Sequence, residues 1–310
     1  MGEWSKLVGE HGEEIVATIL ELVGWGNNRA NIDINCTKPE KHKTGSNPRK
    51  KHGIDFVFSY KSELEERTVC HAVISSKFTA DKYPNNPTET FKSHFLSLAK
   101  DVECFKKSPI RKENASVFTA SRDKCFGVLF WLSNEENESF DLLDKIYSVK
   151  NIDDIDYSTI YVIDNMRAAF VYDTIISLRH DPKISSVNFL YMTNGSNNSA
   201  ADRLSSGKIM PVEFLNSGII PLSITTSSGE SILAISCMDK TDEPTLKRLI
   251  GLAQGIAYDF PGKVLICLPD FNPLKHKEIL EGAKSAFPDV HFIEKITIKN
   301  IKDSFRGSQQ

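Results

Sequence analysis

The chain has 310 residues, 40% of them hydrophobic and 25% charged, with a formal net charge of −3 at pH 7. These are the values of a soluble globular protein of about two domains, and they exclude global disorder, collagen and coiled coil. No apolar run approaches the ~18 residues that a membrane helix needs. The opening Met-Gly-Glu-Trp-Ser-Lys has no apolar signal core, so a cytoplasmic protein without membrane contact is expected. The charge balance argues against a constitutively basic coat protein and leaves room for a local basic surface.

From about Trp4 to Gly24, Val8, Ile15, Ile19, Leu22 and Val23 recur at helical spacing. Gly24 is placed to cap that helix, with Trp25 packing as the chain leaves. The alternation Ile32-Asp33-Ile34-Asn35-Cys36 predicts a strand. Thr37 to Gly53 then breaks every pattern, with Pro39, Gly45 and Pro48, and with Lys38, Lys41, Lys43, Arg49, Lys50 and Lys51 against one acid, Glu40. A polar loop of that length inside a compact domain is usually functional or disordered. Ile54–Tyr60 and Thr68–Phe78 follow as strands, most simply an antiparallel hairpin. A helix from about Thr88 to Lys107 has Phe91, Phe95, Leu98, Val102 and Phe105 on one face as core, and strands are expected at Phe126–Leu132, Ser158–Ile163 and Val187–Met192.

The Ser/Asn/Gly-rich stretch Asn194–Gly207 is the expected boundary, giving domains 1–205 and 206–310. Beyond it, Ile219–Ile224 and Ser231–Ser236 flank Ser227-Ser228-Gly229-Glu230, a hairpin signal. A helix over Glu243–Tyr258, a strand over Val264–Leu268, a helix over Leu274–Phe287 and a strand over Val290–Ile293 then alternate, which predicts a small α/β layer. The apolar face of the helix around Leu246, Leu249, Ile250 and Ala253 is broad, suiting a buried helix or one shared with a partner. This half is expected to be a scaffold or partner-binding domain.

Six cysteines, Cys36, Cys70, Cys104, Cys125, Cys237 and Cys267, are scattered without a C-x-x-C pair or an adjacent His cluster. They are expected to be buried reduced thiols, not zinc ligands or disulfides. No Gly-rich nucleotide-binding loop occurs, which argues against ATP use. The chemistry concentrates in the first 80 residues. Gly53-Ile54-Asp55 sets an acid at the start of an apolar strand, on the face of Val57 and opposite Phe56 and Phe58, while Ser75 and Lys77 share a face of the next strand. A helix packed on the Asp55 face brings Glu10, Glu13 or Glu14 to the same place, and the small Gly9 and Gly12 permit close approach. Hard divalent cations take carboxylate oxygens, and a neighbouring lysine balances phosphate charge or orients a nucleophile.

Gly12-Glu13, Gly24-Trp25, Gly53-Ile54-Asp55 and Val73-Ile74-Ser75-Ser76-Lys77 resemble the PD-(D/E)xK nuclease superfamily over about Trp4–Leu132. The resemblance implies a restriction-endonuclease-like αβββαβ core followed by a second, smaller α/β domain. It implies a nuclease that hydrolyses phosphodiester bonds with Mg²⁺ (or Mn²⁺). Asp55 becomes the metal-binding Asp, Lys77 the catalytic Lys and Glu13 the helix acid. The middle carboxylate of the motif falls on Ser75, which supplies no negative ligand: either Ser75, as a weak ligand or hydrogen-bond partner, and the Ser76 carbonyl contribute neutral oxygens, or another acid compensates, with Glu10, Glu14, Asp81 and Glu89 as candidates. Val8-Gly9-Glu10-His11-Gly12-Glu13 and Lys51-His52-Gly53-Ile54-Asp55, with Phe58-Ser59-Tyr60-Lys61-Ser62, look like the nuclease subunit of a two-gene bacterial anti-phage defence system. That likeness implies a second protein subunit, a hetero-oligomer and a nucleic-acid substrate, DNA favoured over RNA.

In the basic loop, Lys41, Lys43, Arg49, Lys50 and Lys51 are the candidate nucleic-acid contacts. His52 and His71 flank the site strands, each more simply structural than a general base, His52 being the better base. Asp164 is most simply a helix N-cap. The alternative to an enzyme is a non-catalytic nucleic-acid-binding or scaffold subunit that keeps a degenerate nuclease fold. A third reading is a regulatory interaction protein worked by its C-terminal half.

Overall fold

The computed structural model describes residues 3–43, 45–135, 137, 140–149, 155–197, 203–257 and 262–302. The chain divides into two compact units, Met1–Ala168 and Ala169–Gln310. No helix among the described residues is long and apolar enough to cross a membrane.

The first unit opens with helix α1 (Glu3–Leu22) and continues through strands β1 (Arg29–Asn35), β2 (Lys51–Lys61) and β3 (Thr68–Thr79). Helices α2 (Thr88–Phe105) and α3 (Pro109–Ser116), strand β4 (Arg122–Ser133), the short helix α4 (Leu142–Ile146) and strand β5 (Ile160–Ile163) follow. Helix α5 (Asn165–Arg179) spans the division between the units. The sheet order is β1-β2-β3-β4-β5, antiparallel across β1, β2 and β3 and parallel across β3, β4 and β5. This is the expected αβββαβ core.

Val16, Ile19, Leu20 and Val23 form the buried face of α1. Gly24, at φ 81°, ends the helix in the left-handed conformation, and Trp25 N–H donates to the Leu20 carbonyl at 2.7 Å. This closure throws the fully buried Trp25 onto Phe58, with the rings stacked at 5.4 Å. On the other face of the sheet, Phe91, Phe95, Leu98 and Val102 of α2 pack with Val57, Val73, Leu129 and Trp131. A sheet covered on both faces explains why β3 is buried continuously from Thr68 to Ser75 rather than at alternate residues.

The second unit contains β6 (Ile184–Leu190), the two-residue β7 (Ser206–Gly207), α6 (Val212–Leu215), β8 (Ile219–Thr226) and β9 (Ser231–Cys237). It ends with α7 (Glu243–Ala257), β10 (Lys263–Leu268), α8 (Lys277–Ser285), α9 (Val290–Glu294) and β11 (Ile296–Asn300). The sheet order is β11-β10-β9-β8-β6-β7. The expected β8–β9 hairpin turns at Gly229, φ 84°, and β9, β10 and β11 are parallel.

Three details differ from the sequence reading. The units divide at 168/169 rather than at 205/206, because β6 pairs with β8 in the second sheet; of the expected link Asn194–Gly207, residues 198–202 lie outside the described residues. Val290–Ile293 is helical, not a strand: Asp289 accepts from the Phe292 N–H at 3.0 Å and caps a short turn, and the strand starts at Ile296. The apolar face of α7 is used inside its own unit, where Leu246, Leu249, Ile250 and Ala253 are fully buried. Tyr258, the expected end of that helix, lies outside the described residues.

Candidate active site

Three elements deliver the polar cluster. Gly12 is where α1 touches the sheet: a Cβ there would stand 2.4 Å from Phe78 Cβ and 3.6 Å from Ser76 Oγ. Gly9 makes no such contact, so only one of the two expected glycines is needed for close approach. Phe78 and Ser76 lie on the face opposite Val73, so α1 does not pack on the face that strict alternation gives to Asp55. The strand resolves this by breaking its alternation. Ile54 and Val57 both enter the core on the α2 side, and Asn31 of β1 is left-handed, φ 50°, between the pairs Ala30/Phe56 and Ile32/Ile54. At this point of the sheet Asn31 hydrogen-bonds Glu13 of α1, and Asp55 lies within electrostatic reach of it.

Asp55 Oδ2 accepts the Ser76 backbone N–H at 2.7 Å and the Ser75 hydroxyl at 3.3 Å, and Lys77 Nζ stands 3.9 Å away. The Asp55 and Lys77 side chains keep 24% and 34% of their exposure, enough for a substrate to reach them. Partial burial and then the Asp55 carboxylate push the Glu13 carboxyl above its usual range, against the Asn31 hydrogen bond and the Lys77 ammonium, which pull it down. Two carboxylates held together against their mutual repulsion, with one lysine beside them, are donors suited to a hard divalent cation. Glu13, Asp55, Ser75 and Lys77 are thus neighbours in the fold.

Of the candidates to compensate for Ser75, Glu10 acts electrostatically on Glu13. Glu14 is highly exposed beside His11, Glu89 pairs with Lys92 at 2.9 Å, and Asp81 is exposed. Two residues at the cluster carried no signal in sequence. Asn31 could be singled out only by its left-handed backbone, which Asn tolerates better than most residues. His94 comes from α2; burial and then Lys77 lower its pKa to about 4, so it stands neutral near the lysine.

The flanking histidines are elsewhere. His71 is buried and shares a hydrogen bond with Ser59 Oγ at 2.8 Å. His52, the better candidate base by sequence, is fully buried with Nδ1 2.6 Å from Asp101 Oδ1. It lies beside Cys36, His42 and Cys104, whose ligand-type atoms fall within 4.8 Å of one another and of its own. Cys36 and Cys104 are thus not isolated thiols: the expectation of no neighbouring His cluster fails because the fold joins residues distant in sequence. Cys70, Cys125, Cys237 and Cys267 are buried thiols, as expected.

The basic loop is tied mostly to acids outside its own sequence. Lys41 Nζ lies 3.9 Å from Glu103, Arg49 3.7 Å from Asp101, and Lys51 3.4 Å from Asp33; Lys43 pairs with Glu40 at 2.9 Å. Lys50 is exposed. Asp164 caps α5 as expected, accepting the Arg167 N–H at 3.0 Å.

An αβββαβ sheet with an acid on its first helix, an Asp on the second strand and a Lys on the third defines a nuclease of the PD-(D/E)xK class. The chain belongs to the family described as GAPS4 protein PD-(D/E)XK nuclease domain, whose model matches residues 1–167, more than half of the chain. That family is a defence-system family, and a nuclease domain implies a nucleic-acid substrate. No curated protein and no solved structure matches the chain.

Proposed function

We propose that the protein is a divalent-metal-dependent nuclease that hydrolyses phosphodiester bonds, DNA in preference to RNA, as one subunit of an anti-phage defence system in the cytoplasm. The observation that carries this reading is the convergence of Glu13, Asp55 and Lys77 from three elements. Glu13 and Asp55 would hold the cation, Mg²⁺ or Mn²⁺. When bound, it supplies charge stabilisation at the phosphate and a more acidic water. Ser76 N–H and Ser75 Oγ anchor Asp55 through Oδ2, and among the described residues all hydrogen bonds to this carboxylate converge on that oxygen, leaving Oδ1 for a ligand. Ser75 thus replaces the missing carboxylate as a positioning residue. Lys77 orients the attacking water and offsets phosphate charge, and His94, neutral at physiological pH, adds no second cation to repel it.

Lys43, Lys50 and Lys51 are surface cations beside the strand that carries Asp55, and exposed pairs such as Lys43–Glu40 are weak enough to exchange for phosphate. Lys41 and Arg49 would contribute mainly by completing the positive field. The partner subunit would hold activity back until infection.

Removing the Lys77 ammonium tests the chemistry: Lys77→Ala should lower cleavage on the order of 100-fold or more while DNA binding in a gel-shift assay is retained. Undiminished cleavage would overturn the assignment. The substitution at Ser75 favours one alternative, a non-catalytic nucleic-acid-binding subunit. It would show salt-sensitive binding through Lys41, Lys43, Arg49, Lys50 and Lys51 with no turnover under any condition.

A further inference from the structure

We propose that Cys36, His42, His52 and Cys104 form a tetrahedral Cys₂His₂ zinc site that fastens the β1–β2 loop to the end of α2, separate from the carboxylate cluster. Four residues converge from four places: the end of β1, the loop, the start of β2 and the last turn of α2. Zn–S distances of about 2.3 Å and Zn–N distances of about 2.0–2.1 Å in a tetrahedron set edges of about 3.3 Å between nitrogens, about 3.6 Å between nitrogen and sulfur and about 3.8 Å between sulfurs. His42 Nδ1 is 3.3 Å from His52 Nε2 and 3.4 Å from both Cys36 Sγ and Cys104 Sγ, and the two sulfurs are 3.9 Å apart. These are four of the six edges that a zinc tetrahedron requires, and the two from His52 to the sulfurs fall within 4.8 Å.

Hydrogen bonding alone holds this packing together only weakly. His42 Nε2 lies 2.7 Å from Glu103 Oε2, and His52 Nδ1 2.6 Å from Asp101 Oδ1. An ionised carboxylate only accepts, so each of these outer nitrogens carries the hydrogen. In the neutral imidazoles the inner nitrogens, His42 Nδ1 and His52 Nε2, then point lone pairs at each other across 3.3 Å. Without a metal, the donors beside those lone pairs are the thiols of Cys36 and Cys104, each sulfur 3.4 Å from His42 Nδ1, and a thiol S–H is a weak donor. A metal takes the place of the two thiol protons and turns the opposed lone pairs into two bonds. The outer carboxylates are the supports that zinc-binding histidines normally have. Lys38, 2.7 Å from Glu103, and Arg49, 3.7 Å from Asp101, balance those carboxylates in turn. Two thiolates neutralise the ion itself, and a Cys thiolate pair with two imidazoles favours zinc over Mg²⁺.

The site explains the loop. Residues 36–43 and 45–50 lie between β1 and β2 and belong to neither strand. The chain nevertheless folds back on itself there, with Cys36 N–H donating to Lys50 O at 2.8 Å and Arg49 N–H to Pro39 O at 3.1 Å. A closed set of four protein ligands is a structural centre, not a catalytic one.

The test is metal analysis of the full-length reduced chain, purified without chelator. About one zinc per chain is expected, and exchange with Co²⁺ should give the intense visible bands of a tetrahedral ion with thiolate charge-transfer absorption. Cys104→Ser should reduce zinc to about a tenth of that or less, and His42→Ala likewise, whereas Asp55→Ala should keep it. A wild-type chain that carries no zinc and gives no tetrahedral cobalt spectrum overturns the proposal, independently of how the variants fold. Zinc lost in Asp55→Ala but kept in Cys104→Ser overturns it too, by placing the ion at the carboxylates.

Discussion

His71 and His94 are imidazoles held neutral by their surroundings. Burial, only partly offset by Asp123, lowers the pKa of His71 to about 4, and burial with Lys77 does the same for His94. In the unfolded chain both titrate near 6.5. As the pH falls, the unfolded chain therefore takes up these protons first. The stability they contribute is complete above about pH 6.5, declines below it and is gone by about pH 4; His71 accounts for at most about 3 kcal/mol. Denaturant titrations across that range should show the decline, and His71→Asn with His94→Asn should flatten it. An unchanged slope in the double variant would show that other groups set the pH dependence. The site residues themselves divide by how far they were legible. Asp55 and Lys77 could be placed from strand patterns and a short motif, since their spacing is local. Asn31 and His94 could not, because the first depends on a backbone irregularity and the second on how α2 lies across β3.

At the scale of the element, α1 is positioned by one glycine. Gly12→Ala would drive a Cβ into Phe78 Cβ, and the forced shift of the helix should cost about 1–3 kcal/mol while displacing Glu13 from Asp55. Gly9, in the same helix with open space around its Cβ position, should gain about 0.5–1 kcal/mol from the same change through helix propensity. Chemical denaturation of the two variants decides the matter; equal effects would mean that α1 does not bear on β3 as described. The capping of α1 by Gly24 and the apolar stripe of α2 were readable because each is written in a few adjacent turns. The helix at Val290–Glu294 was not, since a short run of apolar character suits a strand as well as a capped turn. The Cys/His cluster escaped for a related reason: His42 and Cys104 are 62 residues apart in sequence and 3.4 Å apart in space.

For the whole molecule, each unit has its own core, one built around Val57, Leu98 and Leu129 and the other around Leu233, Ile235 and Leu249. Denaturation of the full chain should therefore depart from a single two-state transition. Leu249→Ala, which empties a fully buried position of the second unit, should destabilise that unit by about 2–5 kcal/mol and leave the transition of the nuclease domain where it was. One transition shifted as a whole would instead show that the units unfold together, coupled through α5. In the first sheet the β2–β3 hairpin was legible from two strand signals joined by a short charged link, and the αβββαβ core followed from the family resemblance. The division between the units was not, because β6 carries no mark of which sheet it joins.

The measurement that bears most directly on the central claim is Mg²⁺-dependent cleavage of DNA and RNA, side by side, by the chain co-purified with its genetic neighbour. Wild type and Asp55→Ala are compared, with infected-cell extract added as a source of the trigger. The account predicts that wild type cuts DNA in preference to RNA, that removing the divalent ion stops it, and that Asp55→Ala folds but does not cut. Equal cleavage by Asp55→Ala, or nucleic-acid binding without turnover by wild type under all these conditions, would contradict it.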